Sequence, residues 1–187
     1  MIKYDVIHRK ICEFFDKYPS IKKIFLFVYK YMAYLIALLY LILIVICIRD
    51  KNIAPYDFIR AHQLFEAEPL TNSFIAAKII LTPLVSFIVV SVIRKCIDRE
   101  RPYIKYSYIP MVNKTKKGES MPSRHVFSIT IIAMCWLYIF PVMGIIMLIL
   151  SYFMAACRVI AGVHYISDVI VGFIAAVLCG IVGLWIL

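Results

Sequence analysis

VFSITIIAMCWLYIFPVMGIIMLILSYFMAA, residues 126–156, is a run of 31 residues without a charge, and it decides the fold of this chain. As one continuous helix the run would be roughly 46 Å long, about half as long again as the hydrocarbon core of a bilayer. Pro141 and Gly144 lie near its middle, where these residue types favour a turn. The sequence therefore predicts two membrane-spanning helices, at about 125–140 and 142–158, joined by a tight hairpin.

The hairpin determines which polar residues meet. It returns the chain to the side from which it started, so His125 and Arg158 face the same membrane interface. The last apolar run, residues 169–187, begins on that side as well. A single long helix would instead hold these residues far apart.

The remaining apolar runs complete an all-α, polytopic transmembrane helical bundle. Tyr31–Ile48 and Val169–Leu187 are 18 and 19 uncharged residues long, and each is long enough to cross a bilayer. Phe74–Ile93 is a further span, with Lys78 near one end and Pro83 inside. Hydrophobic residues make up 64% of the chain, which excludes a soluble domain of this length. We expect about five spans in one domain, residues 1–187.

The N-terminal segment differs from the spans. Asp5 and Glu13 interrupt it, and no small-residue cleavage site follows an apolar core, so it lacks the pattern of a cleavable signal. Residues 2–15 mix apolar side chains with Lys and Arg, as in an amphipathic helix lying on the membrane surface. A poorly ordered basic tail is the alternative.

The loop charges bear on orientation. Residues 1–30 carry seven Lys and Arg against three Asp and Glu, and residues 94–125 carry nine against three. The positive-inside rule would place both segments in the cytoplasm. A phosphate-binding site needs cations too, however, so the charge of the second segment is poor evidence of orientation.

Three polar clusters converge on one interface. They are RKCIDRERP at Arg94–Pro102, MPSRH at Met121–His125 and CRVIAGVHYISD at Cys157–Asp168. Their arginines suit tetrahedral oxyanions such as phosphate, and the amides that open a helix at residues 123–125 form a further anion site. Ionisable residues at membrane depth are costly and tend to be functional.

The third cluster contains a possible nucleophile. His164 and Asp168 are four residues apart and would share a helix face. A carboxylate bonded to one imidazole nitrogen raises the basicity of the other, so His164 can attack phosphorus, and His125 can protonate the leaving oxygen. No metal is suggested by this set. The alternative is structural: the pair could cap the last span, the arginines could anchor it, and Lys114 and its neighbours could be solvated charge.

Together the clusters resemble the type-2 phosphatidic acid phosphatase superfamily, whose pattern is K-x6-RP, PSGH and SR-x5-H-x3-D. The matching residues here are Arg94 with Arg101-Pro102, Pro122–His125, and Cys157-Arg158 with His164 and Asp168. Order and spacing agree, and the resemblance covers roughly residues 70–185. Three positions depart from the pattern: Arg94 stands for Lys, Arg124 for Gly and Cys157 for Ser.

The resemblance implies a role for each site residue. It implies a phosphohistidine on His164 supported by Asp168, with His125 as the proton donor. It implies that phosphate is held by Arg94, Arg101, Ser123, Arg124 and Arg158; Lys95 is a further candidate beside Arg94. It also implies a helical bundle, no metal or other cofactor, and an active site on the outer side of the cell membrane.

We therefore expect a membrane lipid phosphatase that hydrolyses a lipid phosphomonoester or pyrophosphate. Phosphatidate, phosphatidylglycerol phosphate and undecaprenyl pyrophosphate all remain open as substrates. A phosphotransferase that passes the phosphoryl group to a lipid or sugar hydroxyl is one alternative, and a non-catalytic lipid-binding membrane protein is another. Its expected partners are the substrate and membrane lipids, without nucleic acid or an obligatory protein partner.

Overall fold

The computed structural model describes residues 4–50, 53, 55 and 72–187. Most of the segment between the first two predicted spans, residues 49–73, lies outside the described residues. The described chain is helical and contains no strand. Its helices, in chain order, are α1 Tyr4–Lys17, α2 Pro19–Arg49, α3 Asn72–Ile97, α4 Pro102–Lys105, α5 Arg124–Ile139, α6 Pro141–Ile160 and α7 Ile166–Gly180, which continues as a π-helical turn, Ile181–Ile186.

The hairpin between α5 and α6 is present. Phe140 alone separates the two helices, with an extended φ of −127°, and Pro141 opens α6 at a position where its missing N–H is not needed. A Cβ on Gly144 would lie 2.3 Å from the Leu137 Cα. Only glycine allows the two helices to approach this closely.

Within the described residues, four helical segments are long and apolar enough to cross a membrane: α2, the segment containing α3, α6, and α7 with its π-helical turn. Large apolar side chains on their outer faces are exposed, as at Leu41, Leu84 and Ile149, which suits contact with lipid tails. α5 has 16 residues, or about 24 Å. Most of its side chains are buried, because it lies in the middle of the bundle against α2, α3, α6 and α7.

The first span, α2, is longer than the uncharged run that predicted it. The prediction began at Tyr31 because Lys30 precedes it, whereas α2 begins twelve residues earlier, at Pro19. Lysines at a span end can extend their ammonium groups into water while the helix continues. The added turns carry Tyr29, which becomes part of the site described below.

The N-terminal segment is a helix and not an irregular tail over its described residues. α1 crosses the polar end of the bundle, where the Tyr4 ring stacks on Tyr106 at 5.6 Å and meets Tyr165 edge-on at 5.2 Å. The His8 ring lies 4.3 Å from the Tyr108 ring, and its Nε2 lies 3.1 Å from the Ile109 carbonyl oxygen. Phe14 on α1 is 50% exposed, so the helix also presents apolar surface outward.

Candidate active site

The predicted site residues gather at one end of the bundle. Arg94 is in the last turn of α3 and Arg158 in the last turn of α6. Arg124 and His125 open α5, and Asp168 lies in the first turn of α7. The short loop 161–165 after α6 carries His164. The hairpin thus returns Arg158 to the level of His125, as the sequence predicts.

His164 and Asp168 form a buried pair. His164 Nδ1 lies 3.3 Å from Asp168 Oδ2, and the two side chains are 4% and 0% exposed. Because Nδ1 donates to the carboxylate, the lone pair of His164 is on Nε2. The same Oδ2 accepts the Tyr165 backbone N–H at 3.0 Å. One carboxylate oxygen therefore both caps α7 and orients the imidazole.

The protonation state of His164 follows from its surroundings. Burial lowers its pKa most strongly, and Arg101 and Arg94 lower it further, while the bond to Asp168 opposes these effects. The net direction is below the ordinary histidine value of 6.5. The imidazole is therefore neutral at pH 7, as a nucleophile must be.

Arg94 and Arg101 hold the loops around this pair. Arg94 is 2% exposed, donates to the Pro122 carbonyl oxygen at 2.8 Å and lies 3.5 Å from Glu119 Oε2. Arg101 donates through Nε to the Gly118 carbonyl at 3.1 Å and through a terminal nitrogen to the Val163 carbonyl at 3.4 Å. The second bond fixes the peptide that precedes His164.

Arg158 is held from α2. One of its terminal nitrogens donates to the Tyr29 hydroxyl at 2.5 Å, and its guanidinium carbon lies 4.1 Å from the centre of the Tyr29 ring. The side chain is 3% exposed. This partner lies 129 residues away in the sequence.

Three side-chain atoms of the site are buried without a hydrogen bond. Among the described residues, Arg94 Nε, Arg158 Nε and Ser123 Oγ are three of the six buried side-chain atoms that form no hydrogen bond. A buried donor left unpaired costs about 1–3 kcal/mol. Arg94 Nε has an ion-pair partner, Glu119 Oε2, at 3.5 Å. Buried guanidinium and hydroxyl donors of this kind suit an oxyanion such as phosphate.

Lys95 and Arg124 occupy different positions. Arg94 points inward, whereas Lys95 is exposed on the next position of α3 and has no ion pair with any described residue. Arg124 is half-buried and likewise has no hydrogen bond or ion pair within the described chain. Of the two, only Arg124 lies at the mouth of a groove that it shares with His125.

That groove has a volume of about 410 Å³ and runs between α2, α3 and α5. His125 is exposed into it. Its walls are mostly apolar and are formed by Ala33, Ile36, Ala37, Phe87, Ser128, Ile129 and Ile132. An apolar channel therefore leads up to the histidine and the unpaired guanidinium.

Four polar residues near the site were missed by the sequence reasoning. Arg99 donates to Asp168 Oδ1 at 2.8 Å, and the Ser120 hydroxyl donates to Oδ2 at 2.5 Å. Tyr29 holds Arg158, and Lys114, predicted to be solvated loop charge, has its pKa lowered by burial and then by Arg158 and Arg101. Ser120 is next to the MPSRH motif, but no spacing signal marks the other three.

Cys157 is buried in the main apolar core and is 2% exposed. It fills packing space where the pattern of the resembling family has a serine. Among the described residues, no group of three His, Cys, Asp or Glu side chains has an arrangement that could hold a metal ion.

A helical membrane bundle with a buried His–Asp pair among arginines defines the class of protein. The family model described as "PAP2 superfamily" matches residues 75–187, and the chain belongs to this superfamily. With four candidate spans among its described residues, it is an integral membrane protein. Among solved structures, LpxE of Aquifex aeolicus has the same fold, with a TM-score of 0.64 at 20% identity over 95% of this chain and 92% of that one. No curated protein matches the chain significantly.

Proposed function

We propose that the chain is a lipid phosphatase that works through a phosphohistidine on His164. The observation that carries the proposal is the set of three buried donors without a hydrogen bond, from Arg94, Ser123 and Arg158, at the end of the bundle that holds the His164–Asp168 pair. Superfamily membership supports it independently. Its site residues are the ones that the sequence motifs selected.

In the first step, His164 Nε2 attacks the phosphorus atom, and the bond from phosphorus to the leaving oxygen breaks. Asp168 stabilises the positive charge that forms on the imidazole. His125 donates a proton to the leaving oxygen, so the lipid product departs as a hydroxyl or a protonated phosphate. The cations stabilise the charge on the three remaining phosphoryl oxygens.

In the second step, water attacks the phosphohistidine. His125, now unprotonated, accepts a proton from that water, and the phosphorus–nitrogen bond breaks with its electron pair returning to Nε2. Inorganic phosphate leaves, and both histidines return to their starting states. The chain's own residues supply every proton transfer in this cycle.

The substrate is proposed to be a lipid phosphate or pyrophosphate. The apolar groove that ends at Arg124 and His125 suits a hydrocarbon chain that enters from the bilayer between α2 and α3. The phosphate would then lie at the polar end of the bundle, beyond the groove. This arrangement joins an apolar tail to a site built for an oxyanion.

We propose that α5 is a fifth span, although it is shorter than the other four. Its flanks are covered by helices rather than lipid, so its length need not match the bilayer thickness. α1 would lie on the membrane surface at the site end. The whole chain, residues 1–187, would then be one domain.

The active site is proposed to face the outer side of the cell membrane, which follows the resemblance and not the positive-inside count. Cys96 offers a direct test, because it is exposed at the site end of α3. A membrane-impermeant maleimide should label it in intact cells, and the Cys96→Ser variant should lose that labelling. Labelling only after cell lysis would place the site in the cytoplasm.

Phosphate release in detergent tests the function itself. Purified protein would be offered phosphatidate, phosphatidylglycerol phosphate and undecaprenyl pyrophosphate with a chelator present. We expect chelator-resistant release that His164→Ala abolishes without loss of the folded, detergent-soluble protein. An acid-labile radiolabelled phosphoenzyme should form on the wild type and not on the variant.

Several outcomes would contradict the proposal. Turnover retained in the His164→Ala variant would rule out the mechanism. Release that stops with the chelator would point to metal chemistry. Transfer of label to an added alcohol in place of water would make the protein a phosphotransferase that uses the same intermediate.

A further inference from the structure

We infer that Arg99 is a positioning residue for phosphoryl transfer, holding the Asp168 carboxylate charged and turned toward His164. The inference rests on the proposed function, because it assigns a partner to the same nucleophile. None of the three sequence motifs specifies this position. The role is carried by contacts on both sides of one carboxylate.

The two oxygens of Asp168 have separate partners. Oδ1 accepts from an Arg99 terminal nitrogen at 2.8 Å. Oδ2 accepts from His164, the Ser120 hydroxyl and the Tyr165 backbone N–H. A carboxylate bonded on both oxygens cannot rotate without losing charge-assisted bonds.

Arg99 is itself held in place. The nitrogen that reaches Asp168 also lies 2.7 Å from the Ser167 hydroxyl oxygen, and the guanidinium carbon lies 4.1 Å from the centre of the Tyr165 ring. Its side chain is 35% exposed, whereas Asp168 is fully buried. The Arg99 side chain thus reaches from the partly exposed surface of the protein to the buried carboxylate of Asp168.

The backbone explains why this arginine reaches the site. Asp98 turns the chain after α3 with a φ of 37°, and its Oδ1 accepts the Glu119 backbone N–H at 3.0 Å. The Ser120 N–H donates to the Arg99 carbonyl oxygen at 2.8 Å. We call these paired segments, residues 98–101 and 117–120, the clasp. The clasp delivers Arg99 to one oxygen of Asp168 and Ser120 to the other.

The consequence for His164 is electrostatic. Arg99 balances the negative charge of Asp168, so the carboxylate attracts a proton to the His–Asp pair less strongly. Without the cation the pair would take up its proton at higher pH, whichever member holds it. A protonated pair cannot attack phosphorus. Arg99 therefore keeps the His164–Asp168 pair in its unprotonated, nucleophilic state down to a lower pH.

Other charged groups face the same pair and must stay fixed in a test. Arg94 of α3, Arg101 of the clasp and His125 of α5 interact with His164 directly. Around these three lie Arg124 of α5, Arg158 of α6, and Lys114 and Glu119 of the segment before α5. Each would be left unchanged. The contrast between variants at position 99 alone then isolates the effect of Arg99.

The first experiment compares Arg99→Gln and Arg99→Lys over a pH series of kcat/KM. We expect Arg99→Gln to lower kcat by about 10- to 100-fold, the loss typical of an outer-shell partner of a reacting histidine. Its acidic limb should move up by roughly one pH unit, and Arg99→Lys should restore the limb. Lys23→Gln, which removes an exposed charge from α2, is the charge-matched control and should change neither quantity.

A second readout does not need turnover. The His164 ring titration can be followed by NMR in detergent on protein with isotope-labelled histidine, with His164→Gln to assign the signal. The titration midpoint should rise in Arg99→Gln and return in Arg99→Lys. This measurement tests the inference even if none of the offered lipids is a substrate.

Two results would overturn the inference. An Arg99→Gln variant with unchanged kcat, acidic limb and His164 titration would show that the ion pair has no effect on the nucleophile. A uniform fall in activity with an unmoved limb and titration would show a purely structural role. Loss of activity in His164→Ala tests the proposed function separately from both.

Discussion

Asp168 shows how a structural reading and a functional reading of one residue can both hold. The sequence leaves open whether Asp168 caps the last helix or orients His164. The carboxylate does both, because Oδ2 accepts the Tyr165 N–H as well as the His164 N–H. At the same scale, the site arginines Arg94, Arg99, Arg101 and Arg158 each form a hydrogen bond to a named partner, whereas Arg124 forms none with the described residues.

Arg124 gives a prediction about substrate preference. It shares the groove mouth with His125, where the leaving group would lie, and a pyrophosphate has a second phosphate there. Arg124→Gly should lower kcat/KM for undecaprenyl pyrophosphate about tenfold more than for phosphatidate, a difference of about 1.4 kcal/mol. Arg124→Lys should keep part of the preference. Equal losses on both lipids would assign Arg124 to the transferred phosphate instead.

Tyr29 gives a prediction about Arg158. Tyr29→Phe keeps the ring under the guanidinium but removes the hydroxyl that accepts its hydrogen bond. Because a hydrogen bond to a charged group contributes about 1.5–3 kcal/mol, we expect kcat/KM to fall at least tenfold, measured by phosphate release. Tyr31→Phe, on an exposed side chain two residues later, should have no effect. A similar loss in both variants would argue against a role specific to Tyr29.

At the scale of helices, close approach sets the site. A Cβ on Gly172 of α7 would lie 2.9 Å from the Ser123 carbonyl oxygen, and the Ser123 N–H donates to the Asp168 carbonyl at 3.0 Å. α7 therefore packs directly on the loop that begins α5. Small shifts of this helix would move Asp168 and Ser123 relative to each other.

Gly172→Ala tests that packing. The added methyl group would clash with the backbone of Ser123, which a flexible side chain cannot relieve. We therefore expect kcat to fall at least tenfold in phosphate-release assays. Gly180→Ala is the matched control, since it places a methyl group at 2.8 Å from the Met134 side chain, deeper in the same helix. Both variants should have a lower Tm. Only Gly172→Ala should also have a lower kcat at temperatures at which both variants remain folded. Equal activity in the two would contradict a special role for this contact.

The same scale shows what could be predicted from sequence. Pro141, Gly144 and the length of the uncharged run predict the hairpin correctly, because turn chemistry and bilayer thickness are local constraints. The contacts of Tyr29 with Arg158 and of Arg99 with Asp168 join residues 129 and 69 positions apart. Such pairs leave no periodicity or spacing in a single sequence. The start of α2 was placed too late because the prediction took the charge of Lys30 as the boundary, whereas the helix continues back through Lys30 to Pro19.

At the scale of the whole molecule, α1 packs on the loops beside the site. His8 is 5% exposed, and its Nδ1 is buried without a hydrogen bond. Burial lowers the pKa of His8, although the bond to the Ile109 carbonyl opposes this. Protonation of His8 would place an unpaired charge between α1 and the loop around Tyr108.

Docking of α1 should therefore depend on pH. A histidine whose pKa is lowered in the folded state stabilises that state above its ordinary value of 6.5, and the stabilisation is lost as pH falls further. We expect faster amide hydrogen exchange in residues 4–17 and 106–112 at pH 5.5 than at pH 7.5, after correction for the intrinsic rate. His8→Phe should remove the difference while keeping the ring contact. The same pH response in that variant would assign it to another group.

The single residue between α5 and α6 also constrains how the protein is made. Because only Phe140 separates α5 from α6 and the two helices pack on each other, we expect them to enter the bilayer together as a hairpin. Arg158 and His125 would then arrive together, still without Asp168. Asp168 is in the first turn of α7, so the His164–Asp168 pair cannot form until α7 has packed against the hairpin.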